Sequence, residues 1–437
     1  MPEFLTLLPP DEARSLLLAH LSQLQADSET IAVASSLGRV LAEDIVAPHP
    51  LPDFRRATVD GYAVRAADTH GASDSLPAYL NLVGEVPMGD TPAFAVGLGQ
   101  CALIHTGGML PNGTDAVVML EYTQQIGGDS RDRRLPVPTV PTNAVAQTEI
   151  EIFRAVADGE NVIRIGEDVA QGQVVQAKGR VLRPAEIGGL MALGITHIQV
   201  MKKLRVGLIS TGDEVVDPSQ SPRPGQVRDV NTYTLGALIE KSGGEAIRYG
   251  IIADQFDALK EAATKALSEC EVVIITAGSS ASTRDMTADV IRLLGVPGVL
   301  VHGINTRPGK PTILGVCNGK AVIGLPGNPV SALVNGYLFV VPVIEKLLGE
   351  LPKLKPTVFA KSTVNLPSQA GREDWWPVKL SLASGRAGLR GEREFSADPI
   401  FSKSNLIFSL AAADGLLRIP SDATGISAGE VVEVLLL

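Results

Sequence analysis

Between residues 204 and 350 the chain carries five unbroken apolar runs, LRVGLIS, AIRYGII, EVVIITA, GVLVHGI and AVIGLPG. Segments of helical pattern start from Thr232, Phe256, Met286 and Pro329. A strand that is apolar at every position has no face for water and must be covered on both sides. Alternation with helices is how a parallel sheet obtains that cover, so the block is predicted to be a doubly wound parallel α/β sheet. Right-handed crossovers place the C-terminal ends of its strands on one edge, where open sheets bind ligands.

The flanking segments obey other patterns. After Pro9-Pro10, DEARSLLLAHLSQL has helical spacing, and its first free N–H groups are expected to donate to the Asp11 carboxylate. Pro48-His49-Pro50-Leu51-Pro52 cannot continue a helix or a central strand, which places a domain crossing there. Residues 78–123 read as short strands punctuated by GEVPMGD, VGLGQ and PNGTD, and 127–148 as a polar, Pro-rich exposed insertion. The stretch from Asn161 reads as a return to the first domain with a helix near Pro184, and the stretch beyond Leu351 as a small β domain.

Charge narrows the ligand class. Lys and Arg number 38 against 48 Asp and Glu, a net −10, which excludes a general electrostatic grip on nucleic acid or an anionic membrane. Any anion must meet a local cluster of cations. Cys101, Cys270 and Cys317 are odd in number and widely spaced, so a disulfide framework and a CxxC metal site are both set aside and a cytoplasmic setting is expected. The N-terminus lacks the basic start and apolar core of a signal peptide. No run approaches about 18 apolar residues, so no membrane span is expected. None of the six histidines has a partner at zinc-ligand spacing, and no GxSxG elbow is present.

The residues that follow the apolar runs carry the chemistry. They are Ser210-Thr211-Gly212-Asp213-Glu214, Ala253-Asp254, Gly278-Ser279-Ser280 with Arg284-Asp285, Arg307-Pro308-Gly309-Lys310, and Asn328-Pro329-Val330-Ser331. Taken singly, each is a common turn or helix-start residue. Together on one sheet edge, their Gly turns let backbone N–H groups approach an anion, and Glu214, Asp254 and Asp285 are hard oxygen ligands for a Mg²⁺ that also holds phosphate oxygens. A nucleotide-like or phosphorylated ligand is expected, with catalysis by positioning and electrostatics. A Walker-type loop is rejected, because five residues rather than four separate Gly303 from Gly309 and Pro311 replaces Ser or Thr. In the first half, the Asp60-Gly61-Tyr62-Ala63 loop and the His105–Val118 loop are too polar and Gly-rich for packing alone.

The stretches PLPDFRRATVDGYAV, IHTGGMLPNGTDAVVMLE, LISTGDEVVDP, GQVRDVNTYTLGALI, IIADQFDAL, NTRPGKPTIL and IGLPGNPVSALV follow one another in that order. With them the chain, from about residue 5 to 437, resembles the molybdopterin molybdenumtransferases, the bacterial MoeA type also found as the C-terminal domain of gephyrin. The resemblance implies an α/β and β multidomain fold with four domains. They are a discontinuous N-terminal linker/dimerisation domain (1–50 and 160–203), a small β domain (51–159), a molybdopterin-binding α/β domain resembling the molybdopterin adenylyltransferases (204–350) and a C-terminal β domain (351–437). It further implies a cytoplasmic homodimer that, with Mg²⁺, converts adenylylated molybdopterin and molybdate into molybdenum cofactor and AMP. The expected cleft lies where the α/β domain of one subunit meets the C-terminal β domain and N-terminal loops of the other. Molybdopterin adenylyltransferase and acceptor molybdoenzymes are the further expected partners. A cofactor-binding carrier without transferase activity, and an adenylyltransferase, are the alternative functions.

Carried over by motif, the catalytic set is Asp60 of the DGYA loop, Thr106 of the TGG loop, Glu214 of TGDE, Asp285 and Lys310. Gly212, Asp213, Gly278, Ser279, Arg307, Ser331, Arg372 and Ser404 are the substrate-binding set, and Asp254 and Asp285 the metal ligands. Molybdate is a tetrahedral dianion, suited to the cations Arg307, Lys310 and Arg372 and to the hydroxyls of Ser331 and Ser404. Three positions depart from the family pattern. Gly278 to Arg284 exchanges glycines for Ser and Thr, Arg307 replaces a Lys, and Arg372 and Ser404 sit in GREDWW and FSKS contexts.

Overall fold

A computed structural model describes residues 7–21, 27–126, 148–277, 281–382 and 395–437, with the side chains of 281–285 outside the description. The chain forms two compact units, one of residues 1–43, 178–184 and 197–437, the other of residues 44–177 and 185–196.

In the first unit, a six-stranded sheet runs in the order Gly244–Ile252, Leu204–Thr211, Val272–Ala277, Lys320–Pro326, Ile313–Cys317, Pro297–His302. The neighbours among the first four strands are parallel. Cover on both faces is visible within one strand: Val272 and Ile274 belong to one core, Val273 and Ile275 to the other. Period-two alternation serves both cores at once. Ile313–Cys317, which the sequence reading did not anticipate, is antiparallel to both its neighbours. It forms a hairpin with Lys320–Pro326 through Asn318-Gly319, both at positive φ, as a two-residue turn requires.

The helices lie over Asn231–Lys241, Phe256–Glu269 and Ala281–Leu294. The last starts five residues before Met286, which puts Asp285 in its second turn and not at a helix start. The first is preceded by Asp229, part of the GQVRDVNTYTLGALI stretch but of no expected site set, whose carboxylate accepts from the Thr232 backbone N–H at 3.2 Å and from its hydroxyl. Asp11 likewise corrects expectation. It is the second residue of the helix Pro10–His20, which has no side-chain cap, and its carboxylate accepts from Arg14 (2.6 Å) and Arg418 (3.4 Å) instead.

From Pro329 a helical stretch of 19 residues runs to Leu347 with mean hydropathy 1.5. By length and mean hydropathy alone that meets the test for a membrane span, although Ser331, Asn335, Glu345 and Lys346 interrupt its apolar residues. However, 67% of it is buried inside the unit, with Phe339, Val343 and Ile344 inaccessible, so it is a core helix. Beyond residue 356, the strands Glu373–Leu382, Phe395–Pro399, Thr357–Ser362, Val431–Leu436 and Gly415–Ile419 pair in turn, and the last pairs back to the first, closing a barrel. A short strand, Thr306–Arg307, adds to this barrel alongside Glu373–Asp374.

The second unit centres on a six-stranded sheet in the order Ala116–Met119, Gly61–Val64, Gln100–Ile104, Ala78–Val86, Glu149–Ile152, Thr123–Ile126. Tyr62, Val64, Leu80, Cys101 and Ile150 fill one face, and Ala63, Val86, Ile104 and Val117 the other. The insertion leaves from Ile126 and returns at Glu149, which are register partners; its residues 127–147 lie outside the described residues.

Candidate functional site

The loop Arg307–Pro311 follows the edge strand of the α/β sheet and is held at both ends. On one side, Thr306 and Arg307 pair in register with Glu373 and Asp374 of the barrel. On the other, Gly309 has φ +104 and lies so close to Asn335 that an added Cβ would stand 1.7 Å from its Nδ2. That amide donates to Pro308 O (3.2 Å) and Ser331 O (2.8 Å). Only glycine fits this turn, which ties the loop to the helix beginning at Pro329.

The loop walls a cavity of about 600 Å³. Arg307, Lys310, Arg372 and Lys403 line it together with Ser331, Ser404, Trp375 and Trp376, and among the described residues no acidic side chain does. Arg372, half-buried, donates through Nε and Nη2 to the buried Asp374 at 2.6 and 3.0 Å. Arg307 lies 5.2 Å above the Trp376 ring and 3.9 Å from the same carboxylate. Asn328 donates to Ser404 Oγ at 3.1 Å, and Val330 N–H to Ser404 O at 3.0 Å, which seats the 400–404 segment against the α/β domain. Arg307, Lys310, Ser331, Arg372 and Ser404, five expected binding residues from both halves of the unit, therefore meet in one pocket. The α/β domain and barrel of the same chain supply its walls, which corrects the expectation that a partner subunit supplies the barrel side. Lys403, missed by motif, could have been suspected from the cation beside Ser404.

A second cavity of about 590 Å³ adjoins it, since Gly327 and Asn328 line both. Ser210, Thr211, Glu214, Arg228, Asp229, Asn231 and Thr276 line this one. Thr211 donates to Asp254 Oδ1 at 2.5 Å, and Asp254 N–H donates to the exposed Asp213 at 3.2 Å, so the strand-end acids gather at one edge beside Gly212. Among the described residues, no three His, Cys, Asp or Glu side chains are grouped to hold a metal. A Mg²⁺ that keeps its waters and takes phosphate oxygens needs only one or two protein carboxylates, and Asp213, Glu214 and Asp254 fit that demand. Gly278 and Ser279, expected at this edge, lie outside the described residues, as does the side chain of Asp285.

Asp60 and Thr106 belong to the second compact unit and are hydrogen-bonded to each other. The Asp60 carboxylate accepts from Thr106 N–H at 2.6 Å and from its hydroxyl at 3.0 Å. These bonds, the backbone one foremost, with His105 3.9 Å away, hold its pKa below the ordinary 3.8. The backbone is fixed by Gly61, where a Cβ would stand 1.9 Å from Val118 O. Burial pushes the Cys101 thiol up to about 12 and Cys317 to about 11, so neither is a nucleophile at neutral pH.

The chain matches the MoeA N-terminal region (domain I and II) over residues 8–194, a probable molybdopterin binding domain over 207–346, and the MoeA C-terminal region (domain IV) over 360–437. It is 35% identical to a putative molybdopterin biosynthesis protein of Methanocaldococcus jannaschii, covering 99% of this chain and 98% of that one. Identity to the molybdopterin molybdenumtransferase of Haemophilus influenzae is 33%, covering 97% of each. Among solved structures, the molybdopterin biosynthesis MoeA protein of Pyrococcus horikoshii OT3 aligns with a TM-score of 0.81 at 33% identity, over 99% of this chain and 100% of that one. With similarity at this level along nearly its whole length, the chain belongs to the MoeA family of molybdopterin molybdenumtransferases.

Proposed function

We propose that the protein inserts molybdate into adenylylated molybdopterin in a Mg²⁺-dependent reaction that releases AMP and yields molybdenum cofactor. The observation that carries this reading is the pocket with four lining cations, three serine hydroxyls and, among the described residues, no lining acid, in a chain of net charge −10. A small dianion is the ligand such a pocket suits: the arginine and lysine N–H groups give charge-assisted bonds, and Ser331 and Ser404 can donate without adding charge. The adjoining cavity, lined by Thr211, Glu214, Arg228 and Asn231, suits the adenylylated end of the substrate, and shared lining at Gly327 and Asn328 lets one ligand span both. When bound, Mg²⁺ would supply charge neutralisation at the phosphoanhydride, held by Asp254 with Asp213 or Glu214. The Trp375 and Trp376 rings wall the oxyanion end and limit water there.

The resemblance also leads us to propose a cytoplasmic homodimer that is served by a molybdopterin adenylyltransferase and passes cofactor to acceptor molybdoenzymes. The purified protein, given adenylylated molybdopterin, molybdate and Mg²⁺, should release AMP only when all three are present. Lys310→Ala removes one charge-assisted contact of about 1.5–3 kcal/mol, so the molybdate-dependent rate should fall by roughly 10- to 100-fold. No AMP release, or release indifferent to molybdate, would refute the reading. Tight binding of finished cofactor without AMP release would mark a carrier.

A further inference from the structure

Asp374 does not line the oxyanion pocket, yet it touches two of the cations that do. It is fully buried on the barrel strand Glu373–Leu382. Alternation along that strand sends its neighbour Glu373 the other way, where Arg418 donates to it through Nε at 2.8 Å and Nη2 at 2.5 Å. Each buried carboxylate thus has its own arginine, as a buried charge requires.

At Asp374 the pairing is two-pronged, with Nε and Nη2 of Arg372 on separate oxygens at 2.6 and 3.0 Å. Arg307 Nη1 lies 3.9 Å from Oδ2, an ion-pair distance, and the register pairing of Arg307 with Asp374 holds its backbone beside the carboxylate. A guanidinium pinned at two atoms cannot swivel about its long side chain, so its remaining N–H groups keep one direction. The carboxylate sits behind the cations and competes for none of the lining surface.

Building on the oxyanion role proposed above, we infer that Asp374 is a positioning residue that fixes Arg372 and Arg307 so that the pocket reads the size of a tetrahedral dianion as well as its charge. Molybdate and sulfate carry the same charge and shape and differ in bond length. A mobile cluster of cations holds both alike, whereas fixed donors favour the one whose oxygens reach them.

Titration calorimetry of the full chain with sodium molybdate and with sodium sulfate tests this. The unsubstituted protein is expected to prefer molybdate. In Asp374→Asn, which keeps the volume and removes the charge, the preference ratio should fall by about tenfold, the size of one well-placed charge-assisted bond. General destabilisation does not move a ratio of two affinities measured on the same folded protein. Arg372→Lys, a point cation that cannot take the fork, should lower the ratio likewise, and the double variant should lose no more than the single one. A ratio unchanged within about a factor of two in folded Asp374→Asn, or losses that simply add in the double variant, overturns the inference. Molybdate-dependent AMP release by an unsubstituted protein that binds molybdate and sulfate alike removes the inference and leaves the proposed function standing. Absence of both oxyanion binding and AMP release removes the two together.

Discussion

Replacing Gly309 with Ala tests how the oxyanion loop is held. The new methyl would overlap the Asn335 amide at 1.7 Å, and Asn335 is fully buried, so it has no open space to retreat into. Moving the amide breaks its bonds to Pro308 O and Ser331 O. Two such bonds at about 1 kcal/mol each, with of order 1–3 kcal/mol for a Cβ-bearing residue at this positive φ, give a loss of roughly 3–5 kcal/mol. Both tryptophans of the chain, Trp375 and Trp376, line the pocket, so their fluorescence follows urea unfolding of this unit and also molybdate binding. The variant should unfold at lower urea and bind molybdate more weakly, because Arg307 and Lys310 ride on the displaced loop. In an Asn335→Ala background the amide is gone, and the added cost of Gly309→Ala should shrink to the backbone portion alone. A Gly309→Ala protein within about 1 kcal/mol of the parent would refute this account, as would an equal penalty in both backgrounds.

Two further outcomes are expected. Cys101 and Cys317 should resist iodoacetamide at pH 8 in the folded protein and react on unfolding, since burial keeps them protonated with pKa values near 12 and 11; prompt labelling of either would contradict their placement. Asp60 has a lowered pKa, so its Thr106 contacts favour the fold above the ordinary 3.8 and lose that contribution as pH falls through the depressed value. In Thr106→Ala the carboxyl titration followed by NMR should move upward, and an unmoved titration would refute the hydroxyl's share.

The α/β sheet was legible because continuous apolar strands between helical segments allow few arrangements. The missed strand Ile313–Cys317 had its own signal, the Asn318-Gly319 pair between two apolar runs, hidden by the polar RPGKP loop just before it. The early start of the Ala281 helix was obscured by Ser and Thr, which favour caps and turns as readily as helix interiors. Motif order named Arg307, Lys310, Ser331, Arg372 and Ser404, and the fold brings them to one pocket. Asp374 and Asp229 escaped because an acid's role depends on which donor the fold sets opposite it. Spacing carries no trace of a partner such as Arg307, which reaches Asp374 from the other side of a domain boundary.

The pairing of Thr306–Arg307 with Glu373–Asp374 makes the pocket a late product of synthesis. A nascent chain exposed only as far as residue 350 already holds every strand of the α/β sheet. Yet the strand that Arg307 joins is still inside the ribosome, and the Lys403-Ser404 wall is not yet made. The barrel closes only when Val431–Leu436 settles between its neighbours. Before residues 373–374 emerge, the loop that carries Arg307 and Lys310 is held only from the α/β side, through Asn335. A prematurely terminated chain would therefore keep a complete α/β sheet and yet have no oxyanion pocket.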